Sequence, residues 1–473
     1  MHADEYRRYD AIGLADLVRA GEVTPHELLK AARERLRQSA ALNAVVLDLG
    51  ERAERQLDEG LPDAALSGVP FLLKDLGQNL AGTVTSAGSR LFRDALADHD
   101  STLVQRYLRA GLVICGKTNT PELGLATTTE PRLHGATHNP HARGVSPGGS
   151  SGGAAAAVAG GIVPVAHASD GGGSIRIPAS ACGLFGLKPT RGRVPLGPDE
   201  LEGWGGLATA HVVSRSVRDS ALLLDLTHGP ETGSPYAAPP ASRSYLLDAE
   251  RPVGRLVIGV ARQAFTGTNV DTQILDLLDA FADTCRRLGH QVVDASPAID
   301  APTLRRAHGV LAIAHVAATL DRRARQLGRA VSEADVERVT WENYQASATM
   351  RAVDYAQALH DVQRLGYVVA DYFTGFDLLL TPTMATLPPA HGALDMMGTD
   401  AAAYVNLLYR MIAFTALFND TGNPAMSLPV ATAGNGLPVG MQFVAPHGGE
   451  ALLLRVGRQF EREGIAVARI SQD

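Results

Sequence analysis

Several kinds of residue and segment are scarce in or missing from this 473-residue sequence. Cysteine occurs only three times, at Cys115, Cys182 and Cys285, each in an apolar or helical context. A small, odd number of cysteines is typical of buried thiols in a reducing compartment and not of a disulfide framework. The first ten residues, MHADEYRRYD, contain no apolar segment of the kind that a secretion signal needs. We therefore expect a cytoplasmic protein.

The sequence also has no long hydrophobic run and no excess of positive charge. Its longest weakly polar stretch, residues 154–168, is interrupted by Gly160, Gly161 and Pro164 and is shorter than the roughly 20 residues of a membrane span. This stretch predicts a buried helix followed by a strand. The formal net charge is −7, and the densest basic run, residues 322–325, has the pattern of a solvated helix face. Neither a membrane nor a nucleic acid is an expected partner.

Glycine is concentrated in one stretch, SPGGSSGGAAAAVAGGIVPVAHASDGGGSIRIP, residues 146–178. Glycines crowd a site where the backbone must approach a reacting group or take a conformation that a Cβ atom forbids. A phosphate-binding loop needs a lysine, and this stretch has none. A nucleophile elbow needs a buried strand before its G-x-S-x-G motif, and the preceding THNPHARGVSP has no strand pattern. We favour a serine amidase in which two serines and a lysine transfer the proton, with the elbow as a weaker alternative.

Four motifs carry a resemblance to a known family. They are GVPFLLKDL (68–76), GKTNTPELG (116–124), SPGGSSGG (146–153) and SDGGGSIRIPASACGLFGLKPTRGRV (169–194). Weaker similarity includes LLLTPT (378–383) and GNPAMSLP (422–429). In these motifs the sequence resembles the amidase signature family over nearly its whole length. Within that family it is most similar to the branch that contains a hydrolase of a cyclic amide dimer.

The resemblance implies a triad of Ser174 as nucleophile, Ser150 as bridging serine and Lys74 as base. Ser150 and Ser174 are 24 positions apart, which is the separation that the family uses. In the family the bridging serine follows a cis peptide bond, which here would join Gly149 to Ser150. Lys74 follows a short apolar run, residues 69–73, that predicts a buried strand. Burial lowers the pKa of a lysine and so allows it to accept a proton.

The glycines before Ser174 predict a site for the oxyanion of a tetrahedral intermediate. Consecutive backbone N–H groups without side chains can converge on one oxygen atom. The predicted donors are the N–H groups of Gly171, Gly172, Gly173 and Ser174. Nearby residues expected to hold the loops in place without reacting are Ser151, Asp170 and Arg176, of which Asp170 and Arg176 could pair.

The resemblance implies hydrolysis of a carbon–nitrogen bond without a cofactor. The expected substrate is a small apolar amide, lactam or carbamate that forms an acyl-enzyme on Ser174. No HExxH motif occurs, and no cluster of metal ligands accompanies His138 and His141, so neither a metal nor an organic cofactor is expected. The pocket of this family is built from variable segments, and its predicted contributors here are Leu125, Ala126, Thr127, Trp204 and Met384.

Two alternative functions stay open. One is the glutamine-hydrolysing A subunit of a transfer-RNA amidotransferase complex, in which a glutamine usually follows the arginine after the nucleophile. Here Ile177 and Pro178 follow Arg176. The other is a non-catalytic binding protein, against which the complete triad argues. We expect the chain to act without a partner protein, and a homodimer is compatible with this expectation.

The remaining segments predict an α/β fold. A capping box at Thr24 and Glu27 begins an N-terminal helix. Residues 255–260, 271–288 and 291–294 predict a strand, a helix and a strand, a unit that gives parallel strands in one sheet. The resemblance implies a single domain over residues 1–473, with a mixed, mostly parallel central sheet covered by helices on both faces. Its expected parts are a signature core at about 66–220, a surface loop at 228–252 and a second half at 253–473.

Overall fold

The computed structural model describes residues 1–200 and 202–471, in which eleven strands form one sheet. The strands are β1 (Val45–Asp48), β2 (Pro70–Lys74), β3 (Val113–Thr118), β4 (Val165–Asp170), β5 (Phe185–Lys188), β6 (Thr209–Ser214), β7 (Val257–Val260), β8 (Gln291–Asp294), β9 (Leu378–Pro382), β10 (Ala425–Thr432) and β11 (Pro438–Val444). The α-helices are α1 (Ala3–Tyr6), α2 (Ala11–Arg19), α3 (Pro25–Gln38), α4 (Gly50–Glu59), α5 (Thr102–Arg109), α6 (Gly152–Ala159), α7 (Arg176–Ala181), α8 (Val217–Thr227), α9 (Tyr245–Ala249), α10 (Thr272–Arg287), α11 (Ala301–Leu327), α12 (Arg338–Ser347), α13 (Ala352–Tyr372), α14 (Ala401–Met411), α15 (Ala416–Asp420) and α16 (Glu450–Arg462). Within these ranges, no helix is both long enough and apolar enough to cross a membrane.

Consecutive buried apolar residues in the central strands explain why helices cover both faces of the sheet. In β2, Phe71 and Leu73 pack into one buried cluster together with residues of α5, α8 and α16. Leu72, between them, packs into a second cluster with residues of α6. Successive side chains of a strand point to opposite faces, so a run of consecutive apolar residues needs cover on both sides.

The strand order is β1-β3-β2-β4-β6-β5-β10-β11-β9-β7-β8, and the sheet is mixed, as predicted. The pairs β2–β3, β2–β4, β7–β8 and β7–β9 are parallel. The other six pairs between described strands are antiparallel, so the expected majority of parallel pairs is not found. The prediction considered the strand–helix–strand units, which do give parallel pairs. It did not consider the places between them where the chain reverses direction. The short connection from β10 to β11, for example, can only produce an antiparallel pair.

Local sequence signals located several elements to within a few residues. At the start of α3, Glu27 N donates to Thr24 Oγ1 at 3.2 Å and Thr24 N donates to Glu27 Oε2 at 2.8 Å, which is the predicted capping box. The strand–helix–strand unit predicted in the second half is β7, α10 and β8, and β7 and β8 are parallel.

The segment 228–252 differs from the expected surface loop because its last third contains α9. Ser244 caps this helix by accepting a hydrogen bond from Leu247 N at 3.3 Å. Tyr245 and Ala249 on α9 are buried in the main apolar cluster. The prolines that suggested a loop all precede Ser244 except the one at position 252, so they leave room for one turn of helix.

The packing of α6 against the sheet leads to a prediction for stability. A Cβ atom at Gly153, in the first turn of α6, would lie 2.4 Å from Asn119 N and 2.7 Å from Ala44 O. We expect Gly153→Ala to lower the free energy of unfolding by about 1–3 kcal/mol, because backbone on both sides must move. The measurement is the apparent Tm by thermal unfolding.

Gly366, inside α13, provides the matched control for this substitution. No atom lies within 4 Å of a Cβ built at that position. Gly366→Ala should raise the apparent Tm, because alanine is favoured over glycine in a helix by about 1 kcal/mol. Equal effects of the two substitutions would contradict the packing argument.

Candidate active site

Lys74 is the last residue of β2, a central strand, and its side chain is fully buried. Its Nζ donates to Ser150 Oγ at 2.8 Å and to Ser169 Oγ at 3.0 Å. Burial lowers the pKa of Lys74 to about 7, although the Asp170 carboxylate opposes the shift. The cause is the loss of the water that would stabilise an ammonium ion. A large fraction of this amine is therefore neutral near pH 7 and able to accept a proton.

Ser150 lies on a tight loop immediately before α6. The peptide bond between Gly149 and Ser150 is cis, as expected from the resemblance. A Cβ atom at Gly149 would lie 2.6 Å from Thr128 O, so the loop passes too close to the neighbouring backbone for a larger residue. Ser151 Oγ donates to Ser169 O at 3.1 Å and accepts from Ser169 N at 3.3 Å. These two bonds join the loop to β4.

The chain turns sharply after β4 because the carboxylate of Asp170, the last residue of that strand, binds the backbone that follows it. Gly173 N donates to Asp170 Oδ1 at 2.7 Å, and Ile175 N donates to Asp170 Oδ2 at 3.0 Å. These hydrogen bonds close a loop of four residues that ends at Ser174. After this turn, Ser174 borders the same cavity as Ser150.

The same contacts change the set of predicted oxyanion donors. The N–H group of Gly173 is already used by Asp170, so it cannot also bind a substrate oxygen. Sequence reasoning missed this because the role of the Asp170 side chain depends on the folded loop. The N–H groups without an acceptor among the described residues are those of Gly171, Gly172 and Ser174.

Arg176 is fully buried and pairs with Asp170. Its Nη2 donates to Asp170 Oδ1 at 2.8 Å and its Nε donates to Asp170 Oδ2 at 3.0 Å. Burial alone would raise the pKa of Asp170, but the charge and hydrogen bonds of Arg176 outweigh it and hold that pKa well below its usual value. The remaining guanidinium hydrogens bind Thr415 O, Gln442 Oε1 and Asn419 Oδ1. Arg176 therefore joins the loop that ends at Ser174 to the second half of the chain.

A cavity of about 500 Å³ opens beside Ser150 and Ser174. Its wall near these serines includes Leu123, Gly124, Ser169 and Gly171. Apolar side chains form much of the rest, among them Leu76, Phe92, Leu196, Trp204 and Val316. Charged groups that border it include Asp98, Asp199, Glu200, Arg322 and Arg323. Of these, Arg322 pairs with Glu200 at 2.9 Å.

Only one of the five predicted pocket residues, Trp204, borders this cavity. Ala126 and Met384 are buried in a separate apolar cluster, against which Leu125 also packs. Thr127 is buried outside the cavity wall. For Leu125, Ala126 and Thr127 the reason is a turn just before them, in which Leu123 has a left-handed φ of 52°. The turn directs Leu123 and Gly124 to the cavity and the residues after them to the cluster.

Sequence reasoning also missed two side chains near the site. Ser169, the second hydrogen-bond partner of Lys74, is the first residue of the motif at 169–194, and that position is the signal that could have suggested it. His308 Nδ1 lies 2.7 Å from Asp420 Oδ1, and its Nε2 would lie 3.2 Å from a Cβ atom at Gly172. The pair thus packs against the loop that carries the free N–H groups. His308 and Asp420 are 112 positions apart, and no sequence pattern connects them.

Comparison with known proteins places this geometry in a family. A family model described as Amidase matches residues 27–454 of the chain. The chain belongs to the amidase signature family. As a member, it is an amide hydrolase that acts on carbon–nitrogen bonds other than peptide bonds.

Two relatives are similar over their full lengths. The 6-aminohexanoate-cyclic-dimer hydrolase of Paenarthrobacter ureafaciens is 38% identical over 476 residues, which cover 98% of this chain and 96% of the relative. A solved structure of 6-aminohexanoate cyclic dimer hydrolase complexed with substrate has a TM-score of 0.93 and 37% identity, and the match covers 98% and 99% of the two chains. This amidase is therefore a hydrolase of the type that these relatives represent.

A more distant neighbour bears on the alternative function. It is a glutamyl-tRNA(Gln) amidotransferase subunit from Thermotoga maritima, with a TM-score of 0.74 and 22% identity, and the match covers 100% of this chain and 98% of that chain. This likeness shows that the two proteins share a fold.

Proposed function

We propose that this amidase hydrolyses its substrate through an acyl-enzyme on Ser174, with Ser150 and Lys74 as a proton relay. The observation that carries the proposal is the 2.8 Å contact between Lys74 Nζ and Ser150 Oγ in a fully buried site beside the cavity. A serine hydroxyl is a weak nucleophile without a base, and a neutral buried amine is a suitable base at neutral pH. Ser174 Oγ has no hydrogen-bond partner among the described residues, so its link to Ser150 is part of the proposal.

In the first half of the reaction, Ser174 Oγ attacks the carbonyl carbon of the substrate. Its proton passes to Ser150 Oγ, and the proton of Ser150 passes to Lys74 Nζ. The carbon–nitrogen bond then breaks, and the leaving nitrogen takes up a proton that returns along the same relay. In the second half, water attacks the acyl group on Ser174 by the same route and releases the acid.

The oxyanion of each tetrahedral intermediate would bind the N–H groups of Gly171, Gly172 and Ser174. These donors have no acceptor among the described residues and belong to a loop that the Asp170 carboxylate holds in place. Donors that are fixed before the reaction need no reorganisation when charge develops, and loss of one donor typically costs roughly 3–4 kcal/mol. Ser151, Asp170 and Arg176 would act by holding this loop and the loop of Ser150.

The proposed substrate is a small apolar amide, lactam or carbamate, as the apolar wall of the cavity supports. Glutamine is a poorer candidate because its charged amino and carboxylate groups need buried partners. Arg176, the cation nearest in sequence to Ser174, is fully buried and already bound by Asp170 and by three residues of the second half. Ile177, at the position where the amidotransferase protein usually has glutamine, packs in the apolar cluster with Met384.

The proposed relay predicts that substitution of each of its three residues lowers activity, to different extents. Ser174→Ala should abolish covalent labelling by a fluorophosphonate and reduce turnover roughly 10³-fold or more. Ser150→Ala and Lys74→Ala should reduce kcat about 10²–10⁴-fold, because each interrupts proton transfer. Ser347→Ala, on α12 and outside the cavity wall, is the matched control and should label normally. Normal labelling and turnover of Ser174→Ala would show that another residue is the nucleophile.

The buried lysine predicts the pH dependence. Only neutral Lys74 can accept a proton, and burial lowers its pKa to about 7. We therefore expect kcat/KM to rise with pH through a midpoint near 7 and to reach a plateau at alkaline pH. The residual activity of Lys74→Ala should lack this ascending limb. A limb with the same midpoint in that variant would remove Lys74 from the relay.

The choice of substrate can be tested with the isolated chain. We expect it to hydrolyse at least one apolar member of a panel made of a nitroanilide, a cyclic amide dimer and an aryl carbamate, and to leave glutamine intact. The measurements are release of nitroaniline, amine or phenol, and of ammonia from glutamine. Ammonia release that is faster than every apolar reaction would favour the amidotransferase alternative.

A further inference from the structure

Two glycines whose N–H groups are proposed oxyanion donors, Gly171 and Gly172, lie against side chains from distant parts of the chain. A Cβ atom at Gly171 would lie 2.9 Å from Trp204 Cε3, and a Cβ atom at Gly172 would lie 3.2 Å from His308 Nε2. Neither glycine has a positive φ, so a left-handed backbone is not the reason for glycine at these two positions. The reason is the close approach of the two side chains.

Gly172 is restrained on two sides, while its N–H group stays free. Thr415 Oγ1 donates to Gly172 O at 2.6 Å, which fixes the carbonyl group of this residue. The imidazole of His308 lies where a side chain of Gly172 would project. The N–H group has no acceptor among the described residues. A donor of this kind stabilises an oxyanion only if its position is fixed before the reaction.

His308 is itself held in one orientation by Asp420. His308 lies on α11 and Asp420 is the last residue of α15, and the exposed fractions of the two residues are 9% and 0%. His308 Nδ1 lies 2.7 Å from Asp420 Oδ1. A carboxylate only accepts hydrogen bonds, so Nδ1–H is the donor. This bond sets the orientation of the ring in which Nε2 meets Gly172.

A purely structural role does not explain why this buried position holds a carboxylate. Among the described residues, His308 is the one side chain that is hydrogen-bonded to the carboxylate of Asp420, because Oδ2 has no partner. A buried carboxylate with so few partners destabilises a fold, and an apolar side chain would fill the same space with less loss of stability. The arrangement indicates that the orientation of His308 matters for the site.

We propose that His308, oriented by Asp420, is a positioning residue that keeps the N–H group of Gly172 in place to bind the oxyanion of the tetrahedral intermediate. The imidazole acts through Gly172 and does not touch the substrate, since neither His308 nor Asp420 borders the cavity. This inference rests on the proposed function, because it assumes that the oxyanion forms at Ser174. The pair then stabilises the transition state and contributes little to substrate binding.

Three substitutions of His308 test which of its contacts matters. His308→Ala removes both contacts and should lower kcat about 10–10²-fold at nearly constant KM, because a misplaced donor affects the tetrahedral species. His308→Asn keeps a donor near Asp420 but lacks the end of the ring that meets Gly172, so its loss should be similar. His308→Gln places an amide group near the position of Nε2 and should recover part of kcat.

Each kcat is divided by the fraction of protein that a fluorophosphonate labels at completion, which removes the contribution of misfolded chains. Wild-type kcat in His308→Ala would overturn the inference. A kcat of His308→Gln no higher than that of His308→Asn would also overturn it, because the contact at Gly172 would then have no effect.

Asp420 and a second histidine of α11 supply the matched comparisons. Asp420→Ala should lower kcat about as much as His308→Ala, and Asp420→Asn should recover most of that loss, because its amide oxygen still accepts from Nδ1–H. His315 Nε2 lies 2.9 Å from Tyr355 OH and would lie 3.2 Å from a Cβ atom at Gly205, outside the loop that ends at Ser174. His315→Ala should therefore keep kcat. An equal loss in His315→Ala and His308→Ala would contradict the inference.

An inhibitor that forms a tetrahedral adduct separates positioning from a structural role. The serine oxygen adds to the carbonyl carbon of a trifluoromethyl ketone, the C=O π bond becomes an oxyanion, and the serine proton passes to the relay. We expect the Ki of this ketone to rise in His308→Ala by the same factor by which kcat/KM falls. The Kd of an intact anilide, measured by calorimetry in the Ser174→Ala background, should stay the same. A lower Tm with an unchanged Ki would show that His308 is only structural.

These measurements also distinguish failure of the inference from failure of the proposed function. If Ser174→Ala abolishes labelling while His308→Ala keeps the wild-type kcat and Ki, the inference is wrong and the proposed function stands. If Ser174→Ala labels normally, the proposed function is wrong, and the inference is refuted together with it.

Discussion

The buried ion pair between Asp170 and Arg176 is the contact on which the geometry of this amidase depends. Asp170 ends β4, and its carboxylate binds the backbone of the loop that leads to Ser174. Arg176 begins α7 and binds the carboxylate together with groups from α15, β11 and the segment before α15. A buried pair of this kind adds little net stability, but removal of one partner leaves an unpaired charge in the interior. Its value here is that it fixes one conformation of a loop that has three consecutive glycines.

Burial also determines whether the amine of Lys74 carries a proton at neutral pH. The amine lies at the end of a strand whose five residues are all buried, and hydroxyl groups are its hydrogen-bond partners. The Asp170 carboxylate, which acts to raise the pKa of Lys74, is already paired with Arg176. With a full carboxylate charge as partner, Lys74 would keep its proton at neutral pH. The Asp170–Arg176 pair thus orders the loop that leads to Ser174 and also leaves the amine of Lys74 free to be neutral.

The parts of this structure that sequence could predict are those that neighbouring residues determine. The motif around Lys74, the glycines around Ser150 and the turn before Ser174 depend on local backbone geometry, and the structure brings Lys74 and Ser150 into contact. The cavity wall is different, because Leu76, Leu196 and Val316 meet only after the sheet and α11 have packed. Leu125 and Met384, which were predicted to line the pocket, do not border this cavity, and Leu125 follows a left-handed turn at Leu123 that no composition or periodicity indicates. The partners of side chains, such as Asp170 for the Gly173 N–H group, also follow only from the fold.

The motifs depend on neighbouring residues, whereas the cavity wall is assembled only by packing. This difference explains why the type of reaction can be inferred from fewer observations than the substrate. Lys74 and the loop that ends at Ser174 lie at the ends of β2 and β4, which are adjacent, and Ser150 lies on the loop before α6. The wall that would select a substrate is assembled from loops after β2 and β5 and from α11, and each of these can change without moving Lys74.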